Sequence, residues 1–281
     1  MKESALAIKT HQPCDSCGSS DALSIYDDGH SYCFSCREHM NQAEETNIEH
    51  LHQPVSKAKD IAWEDRKIST AVCDFYGVAD SGFRVYFPYC SSDGLQIGGK
   101  IREPGKTFKT EGDFKNATLF GVHTITKSMG VRSNTVIVTE GEADALAAFQ
   151  MANGISDTAT SLSKRAKATV HALSIKSGQA SAERDFKNNL EMLETFDRVF
   201  ICFDNEVEAQ QAAERCARLL KPGKAFIVQL EHKDACEYSS KDLSGEFLAH
   251  LKNASCYTPA GIRNAATDFD GLWSEQNLRS I

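Results

Sequence analysis

Thr135-Val136-Ile137-Val138-Thr139-Glu140-Gly141-Glu142-Ala143-Asp144 is the stretch on which the fold turns. Its β-branched run suits a strand buried on both faces, and an apolar helical stretch, Asp144–Phe149, follows the acids at its end. The same grammar returns twice. Arg198-Val199-Phe200-Ile201-Cys202-Phe203 reads as a second strand; Asp204-Asn205-Glu206 follows it, then a helix from about Val207 to Leu220 that Lys221-Pro222-Gly223 stops. Ala225-Phe226-Ile227-Val228 is a third strand, followed by Lys233-Asp234-Ala235-Cys236-Glu237. Repeated strand–helix–strand units predict an α/β fold with a mostly parallel sheet and right-handed crossovers, whose functional groups gather where the strands end. Carboxylates at equivalent strand ends converge, and an oxygen-rich site suits magnesium or manganese. Any one cluster could instead serve a helix N-terminus, above all at Glu142, Glu208 and Asp144. Three clusters at three strand ends exceed what capping needs.

Upstream, from about residue 61, the pattern is globular but different. Ser69 is placed to cap a short helix through Phe75. Val85-Tyr86-Phe87 and Gln96–Ile101 flank Asp93-Gly94 as a hairpin would, with basic residues on its second strand. The net charge of -8 argues against a polyanionic partner, but between Arg84 and Arg132 eight Lys and Arg face only four Asp and Glu. Local charge decides, because phosphate feels charges within about 8–10 Å.

The first 40 residues carry a third pattern. Cys14–Cys17 and Cys33–Cys36 form two CxxC pairs separated by fifteen residues. Each pair supplies two thiolates from one tight turn, and the intervening residues can form a hairpin, which gives a closed four-cysteine structural zinc site of the ribbon kind. Between the pairs, Asp28 and His30 alternate along a short extended segment flanked by Tyr26 and Tyr32. They either decorate the hairpin or offer groups that bond and stack on bases. The other cysteines are scattered singly, as small core residues are. Residues 41–60 are polar and read as a linker. No apolar run of about 18 residues occurs, and Lys2 and Lys9 precede no apolar segment, so neither a membrane span nor a secretory signal is expected and the chain is placed in the cytoplasm.

Taken in order, these motifs resemble the primase portion of the bacteriophage primase–helicases. Cys14–Cys36 with Asp28-Gly29-His30 resembles their zinc-binding domain; Lys100-Ile-Arg-Glu-Pro-Gly-Lys-Thr-Phe-Lys109 and Leu119-Phe120-Gly121 resemble their polymerase domain; Thr139-Glu-Gly-Glu142, Phe203-Asp204 and Lys233-Asp-Ala-x-Glu237 match their Toprim core. The resemblance implies a zinc ribbon over residues 1–40, the linker, a basic α+β subdomain over 61–133, a Toprim subdomain over 134–256, and a tail or helicase connection over 257–281. It implies a DNA primase, a magnesium-dependent RNA polymerase making short primers on single-stranded DNA inside an infected bacterial host. Glu140, Asp144, Asp204, Glu206 and Asp234 become catalytic acids, with Glu140, Asp204, Glu206 and Asp234 holding two magnesium or manganese ions. Lys100 and Lys106 join the catalytic set, Lys100, Arg102, Lys106 and Lys109 meet nucleotide phosphates and template, and Asp28 and His30 read template bases. The implied partners are template DNA, ribonucleoside triphosphates and a replicative helicase, fused or separate. The alternatives are a Toprim-type nuclease and a template-reading module without catalysis.

Two features depart from the family pattern. Asp204-Asn205-Glu206 stands where the family has Asp-x-Asp, and magnesium, with ligands at about 2.0–2.1 Å, tolerates the longer side chain poorly. Residues 155–171 look inserted, and Lys164, Arg165 and Lys167 either extend the template track or decorate a solvated loop. No GxxxxGK[ST] phosphate loop occurs in the sequence.

Overall fold

The computed structural model describes residues 7–14, 17–26, 30–37, 39–41, 64–80, 84–103, 107–127, 134–162 and 170–259. The chain divides into two compact units, residues 1–56 and 57–281. Of the expected linker only Asn41 is described, at the end of a strand.

The first unit is a four-stranded antiparallel sheet, β1 (Ala7–Gln12), β2 (Leu23–Tyr26), β3 (His30–Cys33) and β4 (His39–Asn41), in sequence order. One CxxC pair lies between β1 and β2, the other at the end of β3. Cys14 and Cys33 are buried, and apart from Ser24 no other described side chain of this unit is. So small an apolar interior needs a cross-link to hold it.

The second unit holds two four-stranded sheets. β5 (Ala79–Asp80), β6 (Val85–Cys90), β7 (Gln96–Arg102) and β8 (Phe108–Gly112) form an antiparallel meander. The hairpin expected around Asp93-Gly94 is β6–β7. Before it, the helix Thr70–Tyr76 begins where Ser69 Oγ accepts the Val72 N–H.

β9 (Thr135–Thr139), β10 (His171–Ser174), β11 (Arg198–Cys202) and β12 (Ala225–Ile227) form a fully parallel sheet in the order β10-β9-β11-β12. Val136, Val138, Val199 and Ile201 face the helices Ala182–Asn188 and Val207–Ala217, while Ile137, Phe200 and Cys202 face Glu142–Ala152, Ala235–Ser240 and Ser244–Asn253. This two-sided burial is why the strands read as continuous apolar runs. β10 extends the three strands read from the sequence; it is only four residues, His-Ala-Leu-Ser, too short to show a period.

The antiparallel sheet shares a core with the parallel one: Tyr76, Phe87, Tyr89 and Phe120 pack with Leu146 and Phe149. Phe120 also exchanges two backbone hydrogen bonds with Ser174, at 3.0 and 3.2 Å. Gly121 makes this approach possible. Its φ is +88°, and a Cβ there would stand 2.9 Å from the Tyr76 ring and 3.0 Å from the Ala172 carbonyl oxygen.

Candidate active site

From β9 the chain steps to β10 on one side, then crosses back to β11 on the other, so a crevice opens between the C-terminal ends of β9 and β11. Glu140 directly follows β9, and Asp204 follows β11 after Phe203. Asp144 sits in the first turn of the helix Glu142–Ala152 and accepts the Cys236 N–H at 3.0 Å. Asp234 caps the helix Ala235–Ser240 by accepting the Glu237 N–H at 2.8 Å. Ligand atoms of Asp144, Asp234 and Cys236 lie within 4.8 Å of one another. Gly141 makes room, since a Cβ there would meet Asp144 Oδ2 at 2.7 Å.

This crowding shows in the acidities. Burial, then the neighbouring Asp144, Glu140 and Asp234, push the Asp204 carboxyl up to about 7, against the opposing pull of Lys233 at 3.9 Å. Burial and Asp234 push Asp144 up to about 6, against the Cys236 N–H and Arg66. Glu140 is raised by burial, opposed by the Gln179 N–H at 3.3 Å and reinforced by Glu206. Like charges desolvated together resist ionisation, and a bound cation relieves them. A hard-oxygen donor set of this kind fits magnesium or manganese, with Glu140, Asp144, Asp204 and Asp234 able to hold it.

The opposite wall belongs to the antiparallel sheet, and the cleft between them holds about 620 Å³. In register, Lys100 pairs with Thr110 and Arg102 with Phe108, and period-2 alternation puts all four on the cleft face. Lys100 Nζ donates to Glu142 Oε1 at 2.7 Å and to the Lys176 carbonyl at 3.0 Å. Glu142 Oε1 also accepts the Tyr89 hydroxyl at 2.6 Å, and burial, reinforced by the Glu142 charge, keeps that phenol protonated well above its ordinary range. Lys176 donates Nζ to the carbonyls of Phe114, Lys115 and Ala117 at 3.3, 3.0 and 2.7 Å, tying the segment after β8 to the end of β10. Burial pushes the Lys176 pKa below the usual lysine range.

In the first unit the Sγ atoms of Cys14, Cys17, Cys33 and Cys36 lie within 4.8 Å of one another, with Cys14–Cys36 at 3.9 Å and Cys17–Cys33 at 3.7 Å. Tetrahedral zinc with bonds of about 2.3 Å sets sulfurs about 3.8 Å apart, so the cluster fits zinc. The Cys36 backbone N–H leads the effects that bring the Cys33 thiol down to about 7. The His30 ring stacks on Tyr26, centroids 4.2 Å apart and 8° from parallel.

A family model described as Toprim-like matches residues 137–239. A DNA helicase/primase of Enterobacteria phage T3 is 26% identical over 275 residues, 91% of this chain and 45% of that protein. The crystal structure of the primase fragment of the bacteriophage T7 primase–helicase is 25% identical at a TM-score of 0.55, covering 88% of this chain and 100% of the fragment. The chain is built like the primase portion of a phage primase–helicase. A second T7 structure shows the same primase fold: it is described as the lagging-strand DNA polymerase interacting with primase domains of two subunits bound to an RNA/DNA hybrid and dTTP. It matches at 26% identity and a TM-score of 0.55, covering 90% of this chain and 100% of the other. The chain spans about half the length of the curated relative it matches.

Against this primase fold the expected residues separate. Glu140, Asp144, Asp204 and Asp234 come together with Lys100 and Arg102 around one cleft. Glu206 does not line it; it is the exposed N-cap residue of the helix Val207–Ala217. Lys109 alternates onto the other face of β8 and bonds Glu103 at 3.1 Å. Asp28, Lys106, Lys164, Arg165 and Lys167 lie outside the described residues, as does the tail beyond Tyr257-Thr258-Pro259. Missed in the sequence were Glu142, read there chiefly as a helix-terminus acid, together with Tyr89, Lys176 and Arg66. Spacing could not flag them, because each acts through a partner far along the chain.

Proposed function

We propose that the chain is a DNA primase that joins ribonucleotides on a single-stranded DNA template. The observation that carries this reading is the two-walled cleft: four carboxylates from three separate strand ends face Lys100 and Arg102. A divalent cation bound by those carboxylates would supply charge neutralisation for a triphosphate. Lys100 and Arg102 bind phosphate oxygens and orient the α-phosphorus for in-line attack. Lys100 arrives already desolvated and fixed by Glu142, so little reorganisation is needed. The primer 3′-oxygen forms the new bond to the α-phosphorus as the bond to pyrophosphate breaks. Glu140, its carboxyl raised by burial, takes the proton of the attacking hydroxyl.

The zinc-fitting unit reads template, with His30 presented against the Tyr26 ring as a flat hydrogen-bonding edge. Ribonucleoside triphosphates are the substrates and a replicative helicase is the working partner. The nuclease alternative would use a nucleophilic tyrosine or a metal-activated water near these acids. For the first route, Tyr89 is fully buried and bonded to Glu142; primer synthesis separates a primase from the second.

The test is primer synthesis by zinc-loaded protein on a pool of single-stranded templates with magnesium and labelled ribonucleotides. Short RNA on a subset of templates, absent with Asp204→Ala although that variant still binds template, is the expected result. Template binding with no product in magnesium or manganese, with and without a helicase partner, would instead support the binding module.

A further inference from the structure

Phe108 opens β8 with 50% of its surface exposed, and it belongs to neither hydrophobic core cluster. Exposed single apolar residues are common, but this ring stands on the wall of a charged cleft. Phe114, on the same lining, packs instead against the core. Arg102 is the cross-strand partner of Phe108, and Lys100 Nζ lies 4.7 Å from its ring centroid. Because Glu142 and the Lys176 carbonyl hold Lys100, the ammonium stays over the ring. Half-open aromatic surface, a guanidinium and an ammonium beside it, and metal-binding acids opposite match one ligand chemistry: a flat base joined to a polyphosphate.

We infer that Phe108 is the stacking platform for the base of the incoming ribonucleoside triphosphate. This rests on reading the cleft as the site of primer synthesis. Stacking needs only a π-face, so the platform accepts all four bases and leaves selection to template pairing. β8 is an exposed edge strand, so the ring serves binding and not folding.

The test uses the full chain with Phe108→Leu, Phe108→Trp and, as a control on the same sheet, Leu95→Ala at the hairpin tip. Loss of one base stack should raise KM for ATP and for CTP about tenfold in Phe108→Leu, with kcat changed less than about twofold. Phe108→Trp should restore KM, and its added fluorescence should be quenched by ATP and not by inorganic tripolyphosphate, which has no base. Tripolyphosphate should bind all variants alike, and Leu95→Ala should match the parent. Wild-type ATP affinity in Phe108→Leu overturns the inference. So does weaker template binding with ATP affinity intact, which would assign the ring to the template. Since nucleotide binding is read without synthesis, quenching by ATP in a protein that makes no primers would sink the primase reading and leave the base platform standing.

Discussion

Lys100 and Glu142 form the most deeply buried ion pair among the described residues, with side chains 13% and 5% exposed. A buried pair is costly to break because the surviving charge keeps its desolvation. Glu142→Ala, which strands Lys100 and the Tyr89 hydroxyl, should therefore lower unfolding free energy by about 3 kcal/mol in a denaturant titration. Replacing both partners, Lys100→Met with Glu142→Leu, should recover most of that stability while nucleotide binding stays lost. Asp204 gives a pH signature. Its folded carboxyl titrates at about 7, above the unfolded value of about 3.9, so above that lower value the unfolded chain loses its proton first. Stability from this group is thus greatest at low pH and falls as pH rises from about 4 to 7. In metal-free protein, Asp204→Asn should gain melting temperature over the parent across that window, and magnesium should shrink the difference by favouring the ionised carboxylate.

Elements decide which charges reach the cleft. Along β7 and β8 the pleat sends Lys100, Arg102, Phe108 and Thr110 to one face and Lys109 to the other. Arg102→Ala should raise KM for ribonucleotides at least about tenfold, as loss of a phosphate contact would. Lys109→Ala removes only an exposed pair with Glu103 and should change KM less than about twofold. Equal losses from both would place the nucleotide elsewhere. At the β9 turn the same logic concerns backbone space. Gly141→Ala would drive a methyl into Asp144 Oδ2 and displace that carboxylate from Asp234, so manganese affinity, measured by electron paramagnetic resonance, should fall about tenfold with the fold retained.

On the scale of the whole chain, the two units depend on different forces. Residues 57–281 bury extensive apolar clusters on both faces of a parallel sheet. Among the described residues of the small sheet in 1–56, little is buried beyond Cys14 and Cys33, so a zinc ion held by the four cysteines would supply much of its folding free energy. Stripping zinc with a chelator should abolish its thermal transition and leave that of the larger unit unmoved in calorimetry. Under the proposed function the stripped protein should also lose template selection. A single transition lowered as one would show that the units share their stability.

Legibility in the sequence followed how local the physics was. The CxxC pairs, the Ser69 cap, the β6–β7 hairpin and three of the four parallel strands rest on neighbours within a few residues, and they stand where the residues place them. The convergence of Glu140, Asp204 and Asp234 was also legible, because acids at equivalent ends of parallel strands have nowhere else to gather. The rest needed three dimensions. β10 is four residues long and is fixed by its pairing with β9. Glu142 looks like any first-turn acid until Tyr89 and Lys100 arrive from 53 and 42 residues away. Lys109 carries the right charge, yet a strand's alternation turns it from the cleft, while Glu206, at a helix start outside the cleft lining, still acts on Glu140 through its charge. Residue type and spacing determined which chemistry the chain carries; tertiary packing alone decided which side chains meet, since desolvation and pairing depend on distances that sequence separation does not encode.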